Sequence, residues 1–291
     1  MFMENSEKKA LIFGRNGQLG FDLCRTFEAG YKVLGFDHKS ADVTNAGKVN
    51  EIIQAEKPDI IINATAYNKV DLADGEINQA LSVNALAPFI LAKASAQAGA
   101  LFVHVSSDYV FDGQKKYYEE IDAPNPVNAY GVSKLCGEQL VKIAAPRYFI
   151  VRTSSLFGVK ESGQKMNFVD KIASMAKAGQ ELKVINDQIM SPTYSFDLAG
   201  KIKELIEKHP PFGIYHITNE GSCSWFELAE KILGIMSLKN QVLPVTADSF
   251  NSKAKRPKMS VLKNSALQKA LISPMPTWQD ALKRYLLEKY N

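Results

Sequence analysis

Apolar positions in the first half of the chain follow two alternating rhythms. Ala10-Leu-Ile-Phe13 is an unbroken apolar run ending at Gly14 and reads as a buried strand. Leu19, Leu23 and Phe27 then recur every four residues, the spacing of one helix face, and Gly30 follows as a C-cap. Tyr31 to Phe36 reads as a second strand. Helical spacing returns at Val49, Ile52 and Ile53 and halts before Pro58. Asp59-Ile-Ile-Ile-Asn63 is a third strand, residues 76–98 a helical stretch, Leu101-Phe-Val-His-Val105 a fourth strand and Tyr148-Phe-Ile-Val-Arg152 a fifth. Strands that do not alternate, each separated from the next by a helix, belong to a parallel sheet covered on both faces, with right-handed crossovers. The predicted fold is α/β, a doubly wound parallel sheet of Rossmann type.

After residue 152 the rhythm loosens. Pro192, Pro210, Pro211, Pro244, Pro257, Pro274 and Pro276 punctuate shorter elements, and amphipathic stretches at 195–208, 225–235 and 277–289 read as helices. Ile214-Tyr-His-Ile-Thr218 reads as a strand returning to the main sheet. The expected organisation is a dinucleotide-binding domain over 1–152 and a smaller, mainly substrate-binding region over 153–291.

Composition narrows the class without naming a function. The 291 residues are 46% apolar and 23% charged, and 35 basic against 31 acidic side chains leave a net charge of +4. No dense Lys/Arg run marks a nucleic-acid surface; the most basic window, Lys253-Ala-Lys-Arg-Pro-Lys258, suits a small anion. No apolar stretch nears the roughly 18 residues of a membrane helix. The amino terminus lacks a signal-peptide core, and Cys24, Cys136 and Cys223 are too scattered for a disulfide framework or a zinc site. A cytoplasmic protein without membrane or nucleic-acid partners, and without a metal site, is expected.

Candidate chemistry begins at Gly14-Arg15-Asn16-Gly17-Gln18-Leu19-Gly20, at the junction of the first strand and first helix. Glycines there permit a tight turn and close backbone approach to a pyrophosphate, while the helix N-terminus supplies N–H groups and positive potential. Asp37 closes the second strand, where a carboxylate accepts from an adenosine ribose hydroxyl. Arg15, His38 and Lys39 lie near enough in sequence to neutralise a 2′-phosphate, so NADPH and NADH both remain open as cofactors.

The fourth strand leads into Ser106-Ser107-Asp108-Tyr109, and Tyr130-Gly-Val-Ser-Lys134 should start a helix. Tyr130 and Lys134, four apart, share a helix face, and Ser107 arrives at the carboxyl edge of the sheet. The trio suits carbonyl reduction. Tyr130 would protonate the nascent alkoxide, Lys134 would favour its phenolate and hydrogen-bond the nicotinamide ribose, and Ser107 would polarise the carbonyl.

At these residues the chain resembles the extended short-chain dehydrogenase/reductase family, most closely its dTDP-4-dehydrorhamnose reductase branch. The matching motifs are the glycine turn, Asp42-Val-Thr-Asn45, Asn63-Ala-Thr-Ala-Tyr67 with Val70-Asp71, Ser107-Asp-Tyr-Val-Phe-Asp-Gly113 and Tyr130-Gly-Val-Ser-Lys-Leu-Cys-Gly-Glu138. Val151-Arg-Thr-Ser154, Asn167-Phe168, Asn186-Asp-Gln188, Pro192-Thr193 and Arg256-Pro257 follow in family order. The resemblance implies Ser107, Tyr130 and Lys134 as the catalytic set, with Asp42 and Val43 near adenine. Ala64, Thr65, Ala66 and Tyr67 would line the path from pyrophosphate to nicotinamide ribose, and Asn84 would lie near the active site. Asn167, Gln188 and Arg256 would face a nucleotide-sugar, dTDP-linked, with Arg256 on its diphosphate. Relatives include homodimers. Two positions depart from the branch: Ser155 stands where Trp is usual, and Asn68 follows Tyr67 where Thr is usual.

The resemblance also admits a nucleotide-sugar dehydratase or epimerase, and a non-catalytic relative like the methionine adenosyltransferase regulatory subunit. Tyr109 after Asp108, where dehydratases carry Glu, argues against the first, and the intact Tyr130/Lys134 pair argues against the second. Elsewhere the bland readings prevail: His104 and His216 as satisfied core histidines, Asp112-Gly113 as a turn, Trp225 and Phe226 as packing residues, and Cys136 as structural.

Overall fold

A computed structural model describes residues 7–159, 166–250 and 252–290; the first six residues, part of the stretch read as lacking a signal core, lie outside the described residues. The strands of the first half are Lys9–Phe13 (β1), Lys32–Phe36 (β2), Ile60–Asn63 (β3), Leu101–Ser107 (β4) and Tyr148–Thr153 (β5). Between them run Gln18–Phe27 (α1), Ala46–Glu56 (α2), Ile77–Leu81 (α3), Ala87–Gln97 (α4) and Ala129–Ala144 (α5). The second half holds the short strands Leu156–Phe157 (β6), Leu182–Ile185 (β7), Ile189–Met190 (β8) and Thr193–Tyr194 (β9), then Gly213–His216 (β10), Cys223–Ser224 (β11) and Val242–Val245 (β12). Its helices are Phe168–Lys177 (α6), Ser195–Lys208 (α7), Trp225–Ile235 (α8), Ser265–Lys269 (α9) and Trp278–Tyr290 (α10).

Six strands form one parallel sheet in the order β10-β5-β4-β3-β1-β2. The chain leaves β1 towards β2 and then reverses to β3, so a crevice opens at the carboxyl ends of β1 and β3, where such sheets bind ligands. The absence of alternation has a direct cause. Ala10 and Ile12 face one apolar layer with Leu19, Leu23 and Phe27 of α1; Leu11 and Phe13 face another with Val49 and Ile53 of α2. Every residue from Ala10 to Phe13 is fully buried, at about 1.5–3 kcal/mol for each large side chain. Both β10 and α7, from the second half, join this stack: Leu198, Ile202 and Leu205 of α7 pack in the α1 layer. A separate apolar cluster unites α6, α8 and α10 with β7 and β12.

Residues 77–97 are helical throughout, as the spacing predicts, with a π-helical turn at Ser82–Leu86 between α3 and α4 and Pro88 in the first turn of α4. Gly30 is not the cap of α1, contrary to expectation: the helix ends at Phe27 with Glu28 as its C-cap, and Gly30, at φ +112, makes the turn into β2. Among the described residues no helix is long and apolar enough to cross a membrane.

Candidate active site

Gly14 follows β1 with φ +94, and its N–H donates to the Phe36 carbonyl at 2.8 Å. A Cβ there would stand 3.0 Å from the Ala64 backbone, and one at Gly20 would stand 1.9 Å from the Gly14 carbonyl oxygen. Only glycine closes this turn. Gly17 is the N-cap of α1 and brings no side-chain acceptor, which leaves the helix start suited to an anion.

Two adjoining cavities open on this turn, of about 690 Å³ and about 330 Å³, and share Gly17, Ala64, Thr65, Ala66 and Asn68. The larger is walled by Gly14, Asn16, Asp37, His38, Lys39, Asp42 and Val43. The Ser40 N–H and hydroxyl both donate to Asp37 Oδ1 at 2.8 Å, and Asn16 Nδ2 donates to Oδ2 at 3.0 Å. These bonds, Ser40's first, hold the Asp37 carboxyl down to about 2, so it is ionised throughout the neutral range. Asp42 is likewise lowered by the Thr44 hydroxyl and N–H. Glycine cradle, open helix start and ionised strand-end carboxylate fit an adenine dinucleotide.

The smaller cavity is lined by Gln18, Leu19, Ser107, Asp108, Tyr130, Lys134 and the run Thr153-Ser154-Ser155-Leu156. Sequence-distant catalytic candidates therefore meet on one wall. Strand β4 runs two residues past the apolar segment to deliver Ser107, and α5, capped by Asn128 at the Gly131 N–H (2.8 Å), places Tyr130 and Lys134 in its first two turns. Gly131 and Gly137 permit this docking, since a Cβ on either would lie 2.1 Å from the Tyr109 or the Asn84 carbonyl oxygen. Ser107 and Tyr130 share the cavity wall, and Ser107 Oγ donates to Asp108 Oδ1 at 2.9 Å.

The electrostatics depart from the expectation that Lys134 pulls the Tyr130 phenol down. Burial pushes Tyr130 up to about 12, with Ser107 opposing. Burial also brings Lys134 down to about 8, with Glu138 opposing, while Lys134 Nζ donates to the Val105 carbonyl at 2.7 Å. Desolvation dominates both shifts because both groups are buried. Tyr130 is thus kept as a proton donor, with a cation one turn away.

A third cavity, of about 520 Å³, brings together Gln188, Lys255, Arg256 and Lys258 with Asp112, Asp248 and Phe250. Arg256 makes a two-pronged pair with Asp71, at 2.9 and 2.8 Å, and bonds Tyr109. Four candidates lie outside these cavities. Asn167 is the N-cap of α6 and donates to Gln18 Oε1 (3.2 Å) and the Tyr285 hydroxyl (3.0 Å), so its amide is spent on joining elements. The Tyr67 hydroxyl turns away to Glu76 at 2.7 Å. Asn84 holds the Tyr67 backbone N–H at 2.8 Å and the Ser133 hydroxyl at 2.9 Å, a positioning role. Arg15 lays its stem over Gly35 of β2.

Several functional features escaped sequence reasoning. The π-turn that carries Asn84 has no local signature beyond Pro88. The buried pair Glu138–Arg152 (2.6 Å), joined by Ser106 at 2.6 Å, underlies the site and becomes visible only once α5 crosses β5. His104 is buried with Asn63 on Nδ1 at 3.3 Å, but its Nε2 has no partner among the described residues, so it is only half satisfied. No side chain among the described residues partners His216 Nδ1, while its Nε2 lies 3.5 Å from Arg152. Asp112 does serve its turn, accepting from the Gln114 N–H at 3.1 Å and from Tyr118.

Comparison with known proteins follows from this geometry. The family described as the RmlD substrate binding domain matches residues 8–291. The spore coat polysaccharide biosynthesis protein SpsK of Bacillus subtilis is 38% identical over 283 residues, covering 97% of this chain and 98% of the relative. The dTDP-4-dehydrorhamnose reductase of Aggregatibacter actinomycetemcomitans is 39% identical over 292 residues, covering 94% and 97%. The crystal structure of dTDP-4-dehydrorhamnose reductase from Bacillus anthracis in complex with NADP superposes with a TM-score of 0.93 at 40% identity, covering 97% of this chain and all of that one.

Proposed function

This chain belongs to the RmlD family of dTDP-4-dehydrorhamnose reductases, and from that premise we propose that it reduces the 4-keto group of dTDP-4-dehydrorhamnose to give dTDP-rhamnose, using NADPH. The observation that carries the reading is the meeting of Ser107, Tyr130 and Lys134 on one wall of a cavity continuous with the glycine turn.

The dinucleotide, when bound, supplies the hydride. The α1 N-terminus holds its pyrophosphate, and Asp42 and Val43 flank its adenine end. His38 and Lys39 offset the Asp37 charge towards a 2′-phosphate. Tyr130 gives its proton to the carbonyl oxygen as negative charge develops there. Lys134 stabilises the resulting phenolate, and a Ser107 hydrogen bond polarises the carbonyl. Gln188 and Arg256 receive the nucleotide part, with Arg256 exchanging Asp71 for a diphosphate oxygen pair. Both ligands are polyanions that do not cross a bilayer unaided, which favours a cytoplasmic reaction.

A second reading rests on Ser155. It stands at φ +47 in the cavity wall, where the resemblance leads one to expect Trp, and it leaves room for other 4-keto-6-deoxysugars on the same nucleotide. Purified protein mixed with NADPH and dTDP-4-keto-6-deoxy sugars should bleach the reduced-nicotinamide absorbance, with the sugar alcohol as product. Tyr130→Phe should lower kcat by about 10²–10⁴-fold, the span of general acid catalysis, while NADPH affinity stays near normal. No bleaching with any such sugar would refute the reading.

A further inference from the structure

Asp108 lies directly against the catalytic hydroxyls, at 3% exposure, and its partners are themselves hydroxyls. Ser107 Oγ donates to Oδ1 at 2.9 Å and Ser154 Oγ donates to Oδ2 at 2.8 Å, with Ser260 facing the same carboxyl. Ser154 comes from the end of β5 and Ser260 from the carboxy-terminal loop. On α5, Tyr130, Lys134 and Glu138 face the region, and Tyr109 beside Asp108 is bonded to Arg256.

The arrangement can be settled by counting hydrogens. A serine hydroxyl has one hydrogen and two lone pairs. One lone pair of Ser107 is taken by the Tyr109 N–H at 3.2 Å. An ionised Asp108 accepts only, so it captures the single Ser107 hydrogen, and the remaining Ser107 lone pair draws in the Tyr130 O–H. Neither hydroxyl then points at a substrate carbonyl. A proton on Oδ1 reverses both bonds. Asp108 donates to Ser107, fills the lone pair that Tyr130 had used, and releases the Ser107 and Tyr130 hydrogens together.

Resting on the reductase reading above, we infer that Asp108 must be protonated for turnover, and that its O–H turns the Ser107 and Tyr130 hydroxyls towards the sugar carbonyl. Asp108 is a positioning residue here. It keeps its proton through the reaction, and the proton added to the sugar oxygen is that of Tyr130. Burial supports the assignment, since it raises the Asp108 carboxyl above the ordinary carboxylate value against the serine bonds that lower it.

The test compares the parent with Asp108→Asn, whose amide N–H₂ donates permanently to Ser107, and with Asp108→Leu, which donates nothing. The readouts are kcat with NADPH and a dTDP-4-keto-6-deoxy sugar from acid to alkaline pH, with melting in NADPH to confirm folding. Asp108→Asn should exceed Asp108→Leu by about 2- to 12-fold, the effect of one neutral hydrogen bond. Its rate should also lack any fall between the ordinary carboxylate range and the Lys134 limb. Infrared difference spectra of parent minus Asp108→Asn, at pH 7, should show a protonated-carboxyl C=O band. Equal rates for the two variants, or no such band, overturn the inference. If the parent reduces no sugar, the reductase reading fails, and the infrared band still decides whether Asp108 holds a proton.

Discussion

At Lys134, burial and catalysis pull in opposite directions. The proposed reduction calls for the ammonium beside Tyr130, yet burial brings it down to about 8. Its folded value lies below the unfolded one, near 10.4, so the buried cation costs stability below pH 8 and that cost is relieved as pH rises towards 10. Activity should therefore fall above about pH 8 with no loss of thermal stability on Lys134's account. Parallel pH–rate and melting curves check this, and a rate loss that tracks unfolding would contradict it. Arg256 makes a second test. Its fork is held by Asp71 and matches a diphosphate, a geometry that Lys cannot reproduce. Arg256→Ala should raise KM for the nucleotide-sugar about 10–100-fold, the loss of one charged hydrogen-bond pair, and leave KM for NADPH unchanged. Steady-state kinetics with each substrate varied in turn would show a shift in the wrong constant. The motif order nominated Arg256 and Gln188, which line one cavity, but not the Asp71 clamp, because 185 residues separate the partners.

Between elements, polar clasps decide how the helices meet. Asp22 of α1 is fully buried and accepts from Ser195, at the start of α7, while Arg25 reaches Glu288 of α10 at 2.6 Å. Burial raises Asp22 to about 6. A carboxyl whose folded value exceeds its unfolded one loses stability as pH rises from about 4 to 6, here by up to about 3 kcal/mol. Asp22→Asn should therefore gain stability relative to the parent across that window, with the gain constant above it. Thermal melts at pH 4 and pH 7 measure the difference, and an unchanged difference between the two pH values would exclude the assignment. Asn167 illustrates how far an element-level reading reached. Its place before Phe168 was clear from the motif, but its work as the α6 cap bonded to Gln18 and Tyr285 needs three elements in contact. The helical rhythm of residues 76–98 similarly concealed the π-turn, since a single widened turn shifts the apolar spacing by only about one residue.

Across the molecule, α5 is tied to the sheet by Glu138 and Arg152, both essentially solvent-free, with Arg152 stacked 5.0 Å from the Phe111 ring centre. Removing one member leaves an unpaired buried charge, so Glu138→Ala should cost about 3–5 kcal/mol, a large part of a typical domain's stability. Denaturant unfolding would reveal it, and a loss below about 1 kcal/mol would show that the pair is dispensable.

The sequence by itself determined the parallel sheet, because strands buried on both faces must be continuously apolar, and the nucleotide turn, because only glycines allow the backbone to close there. It also nominated Tyr130 and Lys134, four apart on one helix face, and Ser107 at a strand end as candidates. Tertiary structure alone decided the direction of the Tyr130 and Lys134 shifts, the half-satisfied His104, the work of Asn84 and Asn167, and the serine shell around Asp108. Those properties depend on desolvation and on partners brought from distant segments, and neither is encoded in any local run of residues.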